Sequence, residues 1–266
     1  MPKLSIITVN LNNKDGLQQT VQSVLEQSFS DYEYIVIDGG STDGSADILQ
    51  LYSDKLAYFC SEHDNGIYEA MNKGIERAKG EYSLFLNSGD YLSKKDILSE
   101  VFSESFDEDI IWGNIILKND KGKTRCIKYS GEVFTIKSLD SVWHQATFIK
   151  TSLLEKLNCY KTNFRISSDW DFFLRAIFKY GATHKHLPLF ISVFLTNGMS
   201  AKNSKLLYEE REKSLKEELP FLFNDIKRLL FLEKIWKIPG IKFFMTYIYP
   251  IVSKIKRIYS ERRGLL

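Results

Sequence analysis

Cysteine is scarce in this chain, which has three such residues (Cys60, Cys126 and Cys159) among 266. None of them belongs to a Cys-x-x-Cys pair, and an odd number leaves at least one thiol unpaired. The pattern argues against a disulfide framework and against a zinc site of paired cysteines. Free thiols are typical of a reducing compartment, so we expect a cytoplasmic protein.

Long apolar runs are also missing. No stretch of about 18 uncharged apolar residues occurs, which argues against a transmembrane helix. The first residues, MPKLSIITV, lead directly into a short strand pattern and lack the apolar region and cleavage site of a secretory signal. We therefore expect neither a membrane span nor a signal peptide.

A strong net charge is the third absence. The 36 basic and 34 acidic side chains leave +2, so the overall charge does not indicate a nucleic-acid partner. The distribution is uneven, because residues 221–266 hold 10 basic and 3 acidic side chains, a net of +7, which leaves 26 against 31, or −5, for the rest. A slightly acidic body thus carries a basic C-terminal segment.

What the sequence does contain is a regular alternation of strand and helix patterns, with 44% apolar residues to fill a core. Strand patterns are found at 4–9, 34–37, 56–60 and 82–86. Helical patterns lie between them at 17–28, 45–52 and 67–78. The alternation predicts an α/β fold, with a mostly parallel sheet and helices on both faces.

The pattern changes after about residue 107. Two strands are predicted around a turn at 119–122, followed by a strand at 144–150 and a helix at 169–180. We interpret the chain as two halves of one domain and a C-terminal helical appendage, with bounds 1–107, 108–204 and 205–266.

Polar turns follow three of the predicted strands, at 10–13, 38–43 and 87–90. In a parallel sheet the carboxyl ends of the strands share one edge, where open α/β sheets bind their ligands. The stretch VIDGGSTDGS has neither the Gly-Lys-Ser/Thr of a P-loop nor a G-x-G-x-x-G pattern. The turns therefore either build a shared site of another kind or are ordinary Asp/Gly turns.

Two further segments combine polar residues with apolar neighbours. SSDWDFFLRA places Asp169 and Asp171 in the first turn of a helix, where they either favour the helix dipole or include a general base. VWHQATFIK carries His144 and Gln145 at the head of a strand, without the spacing of a metal site. A single histidine of this kind is more often structural than catalytic.

Taken in chain order, six segments within residues 3–200 resemble the family 2 glycosyltransferases, which have the GT-A fold. They are SIITVNLNN, VIDGGSTDGS, DNGIYEAMNKGI, EYSLFLNSGD, HQATFIK and SSDWDFFLRA. The sequence is similar in particular to bacterial colanic-acid and other polysaccharide biosynthesis glycosyltransferases, which share an Asn-Ser-Gly-Asp turn. The resemblance implies a GT-A-type, Rossmann-like sheet.

The resemblance also implies a role for each matching residue. Asp169 matches the base on the acceptor side, and Asp90 matches a ligand of Mg²⁺ or Mn²⁺. The family's Asp-x-Asp-Asp turn falls on 87–90 here, so only its last carboxylate is present. The residues assigned to the nucleotide-sugar are Thr8, Asn10, Asp38, Gly39, Asn72, Asn87 and Asp90.

In functional terms, the resemblance implies an inverting glycosyltransferase. It would move a sugar from a nucleotide-sugar donor to a hydroxyl of a lipid-linked saccharide acceptor in bacterial surface polysaccharide synthesis. Because the turn at 87–90 lacks two carboxylates, a non-catalytic nucleotide-sugar-binding protein is the alternative. A nucleotidyltransferase is less favoured, since TVNLNNKDG lacks the Gly-rich basic first loop of that class.

The C-terminal region interleaves aromatic and aliphatic side chains with lysine and arginine over residues 229–259. Basic amphipathic segments of this composition lie in membrane interfaces, which predicts peripheral contact with the inner face of the cell membrane. The alternative is that these helices pack on the body of the protein or in a homodimer.

Overall fold

The computed structural model describes residues 1–129, 135–196 and 203–236. The chain falls into two units, Met1–Glu218 and Leu219–Leu266, of which the second is described as far as Trp236. Most of the basic amphipathic segment predicted at 229–259 therefore lies outside the described residues. No helix within the three described ranges has the length and apolar content needed to cross a membrane.

The first half of the larger unit alternates strands and helices as predicted. In chain order the elements are β1 (Leu4–Asn10), α1 (Lys14–Leu25), β2 (Tyr32–Asp38), α2 (Ser45–Leu51), β3 (Tyr58–Ser61), α3 (Ile67–Arg77) and β4 (Tyr82–Phe85). Helix α1 begins ahead of its first apolar residue because Asn13 caps it, with Oδ1 accepting from the Gly16 N–H at 3.3 Å.

The second half adds shorter helices and the remaining strands. They are β5 (Tyr91–Leu92), α4 (Ile97–Val101), β6 (Ile110–Lys118), β7 (Thr124–Ile127), β8 (Thr147–Lys150), α5 (Thr151–Lys156), α6 (Ser168–Phe173), β9 (His184–Leu195) and α7 (Ser204–Glu218). Helix α8 (Phe223–Trp236) belongs to the smaller unit. The strand predicted at 144–150 begins only at Thr147, since His144–Ala146 forms a 3-10 turn. The helix predicted at 169–180 becomes a π-helix over Leu174–Lys179.

The described strands form one sheet in the order β3-β2-β1-β4-β8-β6-β9-β5, with β7 paired to β6. Strands β1 to β4 are parallel to one another. Strand β8 is antiparallel to both β4 and β6, so β6 and its parallel partner β9 run in the same direction as β1 to β4. The prediction of an α/β fold with a mostly parallel sheet is confirmed, and the described strands that run in the opposite direction are β8 within the sheet and β5 and β7, which pair antiparallel with β9 and β6.

Helices cover both faces of the sheet. On one face, the apolar stripe of α1, which includes Leu17 and Val21, packs with Ile6 of β1 in the main buried cluster. On the other face, α3 lies so close to β1 that a Cβ on Gly74 would be 2.4 Å from Cγ2 of Ile7. Successive residues of one strand therefore face opposite helices, as the pleat of a strand requires.

Helix α7 holds the segment that precedes α6. Glu210 is buried, and its carboxylate accepts from the backbone N–H groups of Arg165 (2.6 Å) and Ile166 (3.1 Å). It also accepts from the hydroxyl of Ser167 at 2.7 Å. Because these residues directly precede α6, Glu210 fixes the start of the helix that carries Asp169.

Candidate functional site

The carboxyl ends of β1, β2 and β4 bring the three polar turns together. The last residues of β1 and β2 are register partners, and the loop after β1 contacts both other turns. The Asn12 N–H donates to Ser41 Oγ (2.7 Å), and Asn13 Nδ2 donates to the Ser88 carbonyl (2.8 Å). The turns therefore form one continuous polar edge of the sheet.

Asp38 is the most fully satisfied carboxylate of this edge. It is completely buried, and it accepts from Asn10 Nδ2 (2.6 Å), from Ser61 Oγ (2.5 Å) and from both the N–H (2.9 Å) and the hydroxyl (2.5 Å) of Ser41. Burial raises the pKa of Asp38, but these hydrogen bonds outweigh it and hold the pKa below its usual value. Asp38 is therefore an ionised acceptor at neutral pH.

Thr8 and Gly39 are two further residues assigned to the nucleotide-sugar from the sequence. Thr8 is buried inside β1, where Oγ1 lies 2.9 Å from the hydroxyl of Tyr34. Gly39 donates its N–H to the Asn10 carbonyl at 2.9 Å, and a Cβ at this position would lie 2.5 Å from Oδ2 of Asp64. The absence of a side chain at Gly39 thus admits the Asp64 carboxylate to the same edge.

Asp90 is the second buried carboxylate, and it has fewer donors. Its Oδ1 accepts from the Leu195 N–H (3.1 Å) and its Oδ2 from Gln145 Nε2 (3.2 Å). Burial raises the pKa of Asp90 to about 7. The turn itself is fixed by Thr20, whose hydroxyl accepts from the Gly89 N–H (2.9 Å) and donates to the Asp90 carbonyl (2.7 Å). Gly89 has φ +103°, a conformation that glycine adopts without strain.

His144 joins this turn to Asp169. Its Nδ1 lies 2.7 Å from Asp169 Oδ2, and its Nε2 lies 3.2 Å from Asn87 Nδ2. The other carboxylate oxygen, Oδ1, accepts from the Tyr68 hydroxyl (3.1 Å) and the Trp170 N–H (2.9 Å). Burial raises the pKa of Asp169, but the hydrogen bond and charge of His144 lead the effects that lower it below its usual value.

A sequence model described as "Glycosyl transferase family 2" matches residues 5–166, which is more than half of the chain. The chain belongs to glycosyl transferase family 2. This is the family that the six sequence segments resemble, and the matched stretch contains every element of the polar edge from β1 to the turn at Asn87–Asp90. Asp169 lies just beyond the matched residues.

Two curated relatives of this glycosyltransferase come from bacteria. A "PGL/p-HBAD biosynthesis glycosyltransferase" of Mycobacterium bovis is 31% identical over 183 residues, which span 65% of this chain and 69% of that protein. The Bacillus subtilis protein described as "Putative teichuronic acid biosynthesis glycosyltransferase TuaG" is 42% identical over 102 residues, which span 37% of this chain and 40% of that protein.

Solved structures show the same fold. Staphylococcus aureus TarS 1-349 in complex with UDP-GlcNAc has a TM-score of 0.68 at 19% identity, covering 92% of this chain and 76% of that one. The mannosyltransferase PcManGT from Pyrobaculum calidifontis in complex with GDP-Man and Mn²⁺ has a TM-score of 0.57 at 15% identity, covering 82% and 62%. The glycosyltransferase has the GT-A fold of these neighbours.

Asp90 of this glycosyltransferase is the residue that the family resemblance assigns to a divalent cation. Among the residues described, no group of three or more His, Cys, Asp or Glu side chains is arranged to hold a metal ion. Two buried amide oxygens of the same region, Asn87 Oδ1 and Gln145 Oε1, have no hydrogen-bond donor. Mg²⁺ and Mn²⁺ prefer oxygen and are held by one or two carboxylates together with substrate phosphates. Asp90, Asn87 and Gln145 therefore offer oxygens of the kind that such an ion takes.

Asn72 is engaged elsewhere. Its Nδ2 donates to the Tyr160 carbonyl (2.8 Å), and its Oδ1 accepts from the Tyr160 N–H (3.0 Å). Asp171 is also occupied, because it is fully buried and accepts from Lys161 (3.0 Å), Arg175 (2.8 Å) and Ser214 (2.7 Å). Of the two carboxylates at the start of α6, Asp169 is the one that keeps a partly exposed side chain (21%).

Four residues of the site were not assigned to it from the sequence: Asp64, Tyr68, His144 and Gln145. Nothing in the spacing of these residues indicates which strand end they approach. For His144 and Gln145 the antiparallel β8 decides it, because it pairs with β4 and so brings the turn at its head beside the turn at the end of β4. Such a pairing joins residues more than fifty positions apart.

Proposed function

We propose that this glycosyltransferase moves a sugar from a nucleoside diphosphate sugar to a saccharide hydroxyl with inversion at the anomeric carbon. The observation that carries the proposal is the arrangement around Asp169. A partly exposed carboxylate is held at 2.7 Å by His144, which also contacts Asn87 in the turn assigned to the donor. A base for the acceptor is thereby attached to the donor side of the same site.

The donor side supports the nucleotide-sugar part of the proposal. The ionised Asp38 and the turn after β1 offer hydrogen-bond acceptors and donors at the carboxyl ends of parallel strands, where nucleotides bind in open α/β sheets. The structural neighbours contain UDP-GlcNAc or GDP-Man by their descriptions. We assign Thr8, Asn10, Gly39 and Asn87 to this part of the site, with Asn72 retained only on family resemblance.

The proposed reaction has a single displacement. Asp169 takes the proton of the acceptor hydroxyl while that oxygen bonds to the anomeric carbon on the face opposite the diphosphate. The bond between the anomeric carbon and the diphosphate oxygen breaks, and its electron pair leaves with the nucleoside diphosphate. The lowered pKa of Asp169 suits this role, because it keeps the carboxylate unprotonated before attack.

Asp90 would hold Mg²⁺ or Mn²⁺, with Asn87 Oδ1 and Gln145 Oε1 as the nearby unpaired oxygens. A bound divalent cation offsets the negative charge that develops on a departing diphosphate. The remaining protein contribution is to keep the turn at Asn87–Asp90 rigid through Thr20 and to keep Asp90 out of water.

The stereochemical part is tested by incubating the chain with UDP- and GDP-sugars and Mn²⁺ and following the first-formed anomer by proton NMR. Inversion predicts that the released or transferred sugar has the anomeric configuration opposite to that of the donor. A product with retained configuration would contradict the single displacement. Binding of nucleotide-sugars without any turnover would favour the non-catalytic alternative, for which the single carboxylate at 87–90 is the supporting observation.

We further propose that the acceptor is lipid-linked and that the C-terminal region contacts the inner face of the cell membrane. Residues 221–266 carry a net charge of +7, from 10 basic and 3 acidic side chains. In the described part of this region, the side chains of Phe221, Leu229 and Phe231 are more than half exposed. Each basic residue near an anionic leaflet contributes about 1 kcal/mol, so the charge alone supports reversible binding.

Co-sedimentation with liposomes tests this membrane contact. The full chain should bind phosphatidylserine-containing vesicles at low salt and release them as salt rises, because exposed charges are screened over roughly 10 Å at 0.1 M. Vesicles of phosphatidylcholine are the control. If equal amounts of protein sedimented with both vesicle types, or none with either, the C-terminal region would instead be a segment that packs on the protein or in a homodimer.

A further inference from the structure

Two consecutive residues each contact a different carboxylate of the site. His144 Nδ1 lies 2.7 Å from Asp169 Oδ2, and Gln145 Nε2 donates to Asp90 Oδ2 at 3.2 Å. Both residues belong to the short 3-10 turn His144–Ala146 ahead of β8, and Gln145 is buried. One short turn therefore holds the carboxylate proposed as the base and the carboxylate proposed to bind a cation.

The proton on Nδ1 and the orientation of His144 follow from the neighbours of the ring. A carboxylate only accepts hydrogen bonds, so the short contact with Asp169 requires a proton on Nδ1. On the other side of the ring, Asn87 offers its amide nitrogen, Nδ2, at 3.2 Å from Nε2. The contact with Asn87 holds the ring from its other side, so the orientation of His144, with Nδ1 toward Asp169, is fixed at both ring nitrogens.

The hydrogen bonds of Asp169 leave only part of the carboxylate available. Oδ1 already accepts two hydrogen bonds, from the Tyr68 hydroxyl and the Trp170 N–H. Oδ2 accepts one, from His144. A carboxylate has about four lone-pair positions, two on each oxygen, so the remaining one is on Oδ2. The oxygen that His144 orients is thus the one with capacity for a further proton.

We propose that His144 is a positioning residue that keeps Oδ2 of Asp169 as the proton-accepting atom and ties it, through Asn87, to the donor-side turn. This inference rests on the proposed transferase function. It adds the atom that accepts the proton, Asp169 Oδ2, and the contact through Asn87 that connects this atom to the donor side. The acceptor proton then moves to Asp169 Oδ2, while His144 keeps its own Nδ1 proton and changes no bond. Asp169 and the turn at 87–90 move together because the imidazole ring of His144 contacts both.

Two substitutions test the contacts of the two ring nitrogens separately. In His144→Asn the amide nitrogen reaches the position of Nδ1 and retains a donor for Asp169, whereas in His144→Gln the longer amide reaches the position of Nε2 and retains only the contact with Asn87. We expect His144→Asn to keep kcat within about fivefold of wild type and His144→Gln to lose about 10–100-fold, as when an orienting partner is removed. KM for the donor and Kd for the free nucleoside diphosphate should change less than about twofold in His144→Gln, which keeps the contact with Asn87, and should rise more in His144→Asn, which loses it.

Equal kcat values for the two variants, or the reverse order, would overturn the proposal. A general packing role would instead lower thermal stability and activity in parallel, so the unfolding temperature of each variant is measured alongside. The matched control is His63→Gln, on an exposed loop residue.

A second readout does not depend on turnover. The ¹⁵N shifts of the His144 side chain, assigned by their loss in His144→Asn, should show a protonated Nδ1. A protonated Nε2 with a bare Nδ1 would overturn the proposal even in an active enzyme. If a protonated Nδ1 is found but the wild-type chain transfers no sugar, the failure is that of the proposed function and not of the His144 arrangement.

Discussion

Asp38 and Asp90 lie at the same edge of the sheet, yet their surroundings differ in kind. Both are buried, but Asp38 accepts four hydrogen bonds and Asp90 accepts two. The pKa of Asp38 is lowered, whereas burial raises the pKa of Asp90 to about 7. The protein thus stabilises the charge of the first carboxylate with four hydrogen bonds, whereas the two at Asp90 do not outweigh the effect of burial.

The two surroundings also differ in where they come from along the chain. The partners of Asp38 belong to β1, β3 and the turn that follows β2, all within the first 61 residues. The partners of Asp90 come from Gln145 and Leu195, which are 55 and 105 positions away. The first cluster is therefore local, and the second depends on the completed sheet.

The largest effect is expected at Asp38. Replacement by Ala removes the acceptor of four hydrogen bonds from Asn10, Ser41 and Ser61, of which Asn10 is buried, so the free energy of unfolding should fall by about 2–3 kcal/mol. Urea unfolding followed by circular dichroism measures it. Asp54→Ala, at an exposed position, is the control. A loss below about 0.5 kcal/mol, the range of ordinary surface substitutions, would show that Asp38 is not held as described.

At Asp90, unlike Asp38, removal of the charged group should increase the free energy of unfolding at high pH. A carboxylate with a raised folded-state pKa binds its proton more tightly when folded, so its ionisation costs stability as pH rises between the unfolded value near 4 and the folded value of about 7. Asp90→Asn removes that loss. In EDTA, the free energy of unfolding of the variant, relative to that of wild type, should increase by at least about 1.4 kcal/mol from pH 5 to pH 8. This amount is the equivalent of one pKa unit.

Urea unfolding of wild type and Asp90→Asn at both pH values provides the measurement. Addition of Mn²⁺ at pH 8 should raise the unfolding temperature of wild type and not that of the variant, because only an ionised carboxylate balances the cation. A difference between the two proteins that stays constant with pH would contradict the raised pKa. An equal Mn²⁺ shift in both would remove Asp90 from the metal site.

The smallest effect is expected at Gln145. Gln145→Met removes the donor to Asp90 while keeping the volume, which should cost about 1 kcal/mol at pH 8, where Asp90 is largely ionised. The cost should shrink at pH 5, where the carboxyl is protonated and the hydrogen bond to it is weaker. Gln50→Met, on the exposed side of α2, is the control. A cost that is independent of pH would mean that Gln145 acts through packing alone.

The sequence allowed much of the fold and the local cluster to be predicted, for the same physical reason. Strand and helix periodicities are local, and parallel strands place their carboxyl ends at one edge, so the turns after β1, β2 and β4 could be joined in advance. The link from Asn87 through His144 to Asp169 could not, because it needs the antiparallel β8 beside β4 and the anchoring of α6 by Glu210. Neither pairing has a signal in local composition.

The central claim, that Asp169 is the base of a nucleotide-sugar transferase, is tested most directly by Asp169→Asn. Transfer or hydrolysis of the donor should fall by about 10²–10⁴-fold, the usual cost of removing a general base, while calorimetry gives a nucleoside diphosphate Kd within about twofold of wild type. Asp120→Asn, in the exposed turn between β6 and β7, should leave both unchanged. If Asp169→Asn turned over its donor at the wild-type rate with unchanged affinity, Asp169 would not be the base, and the account of this site would be wrong.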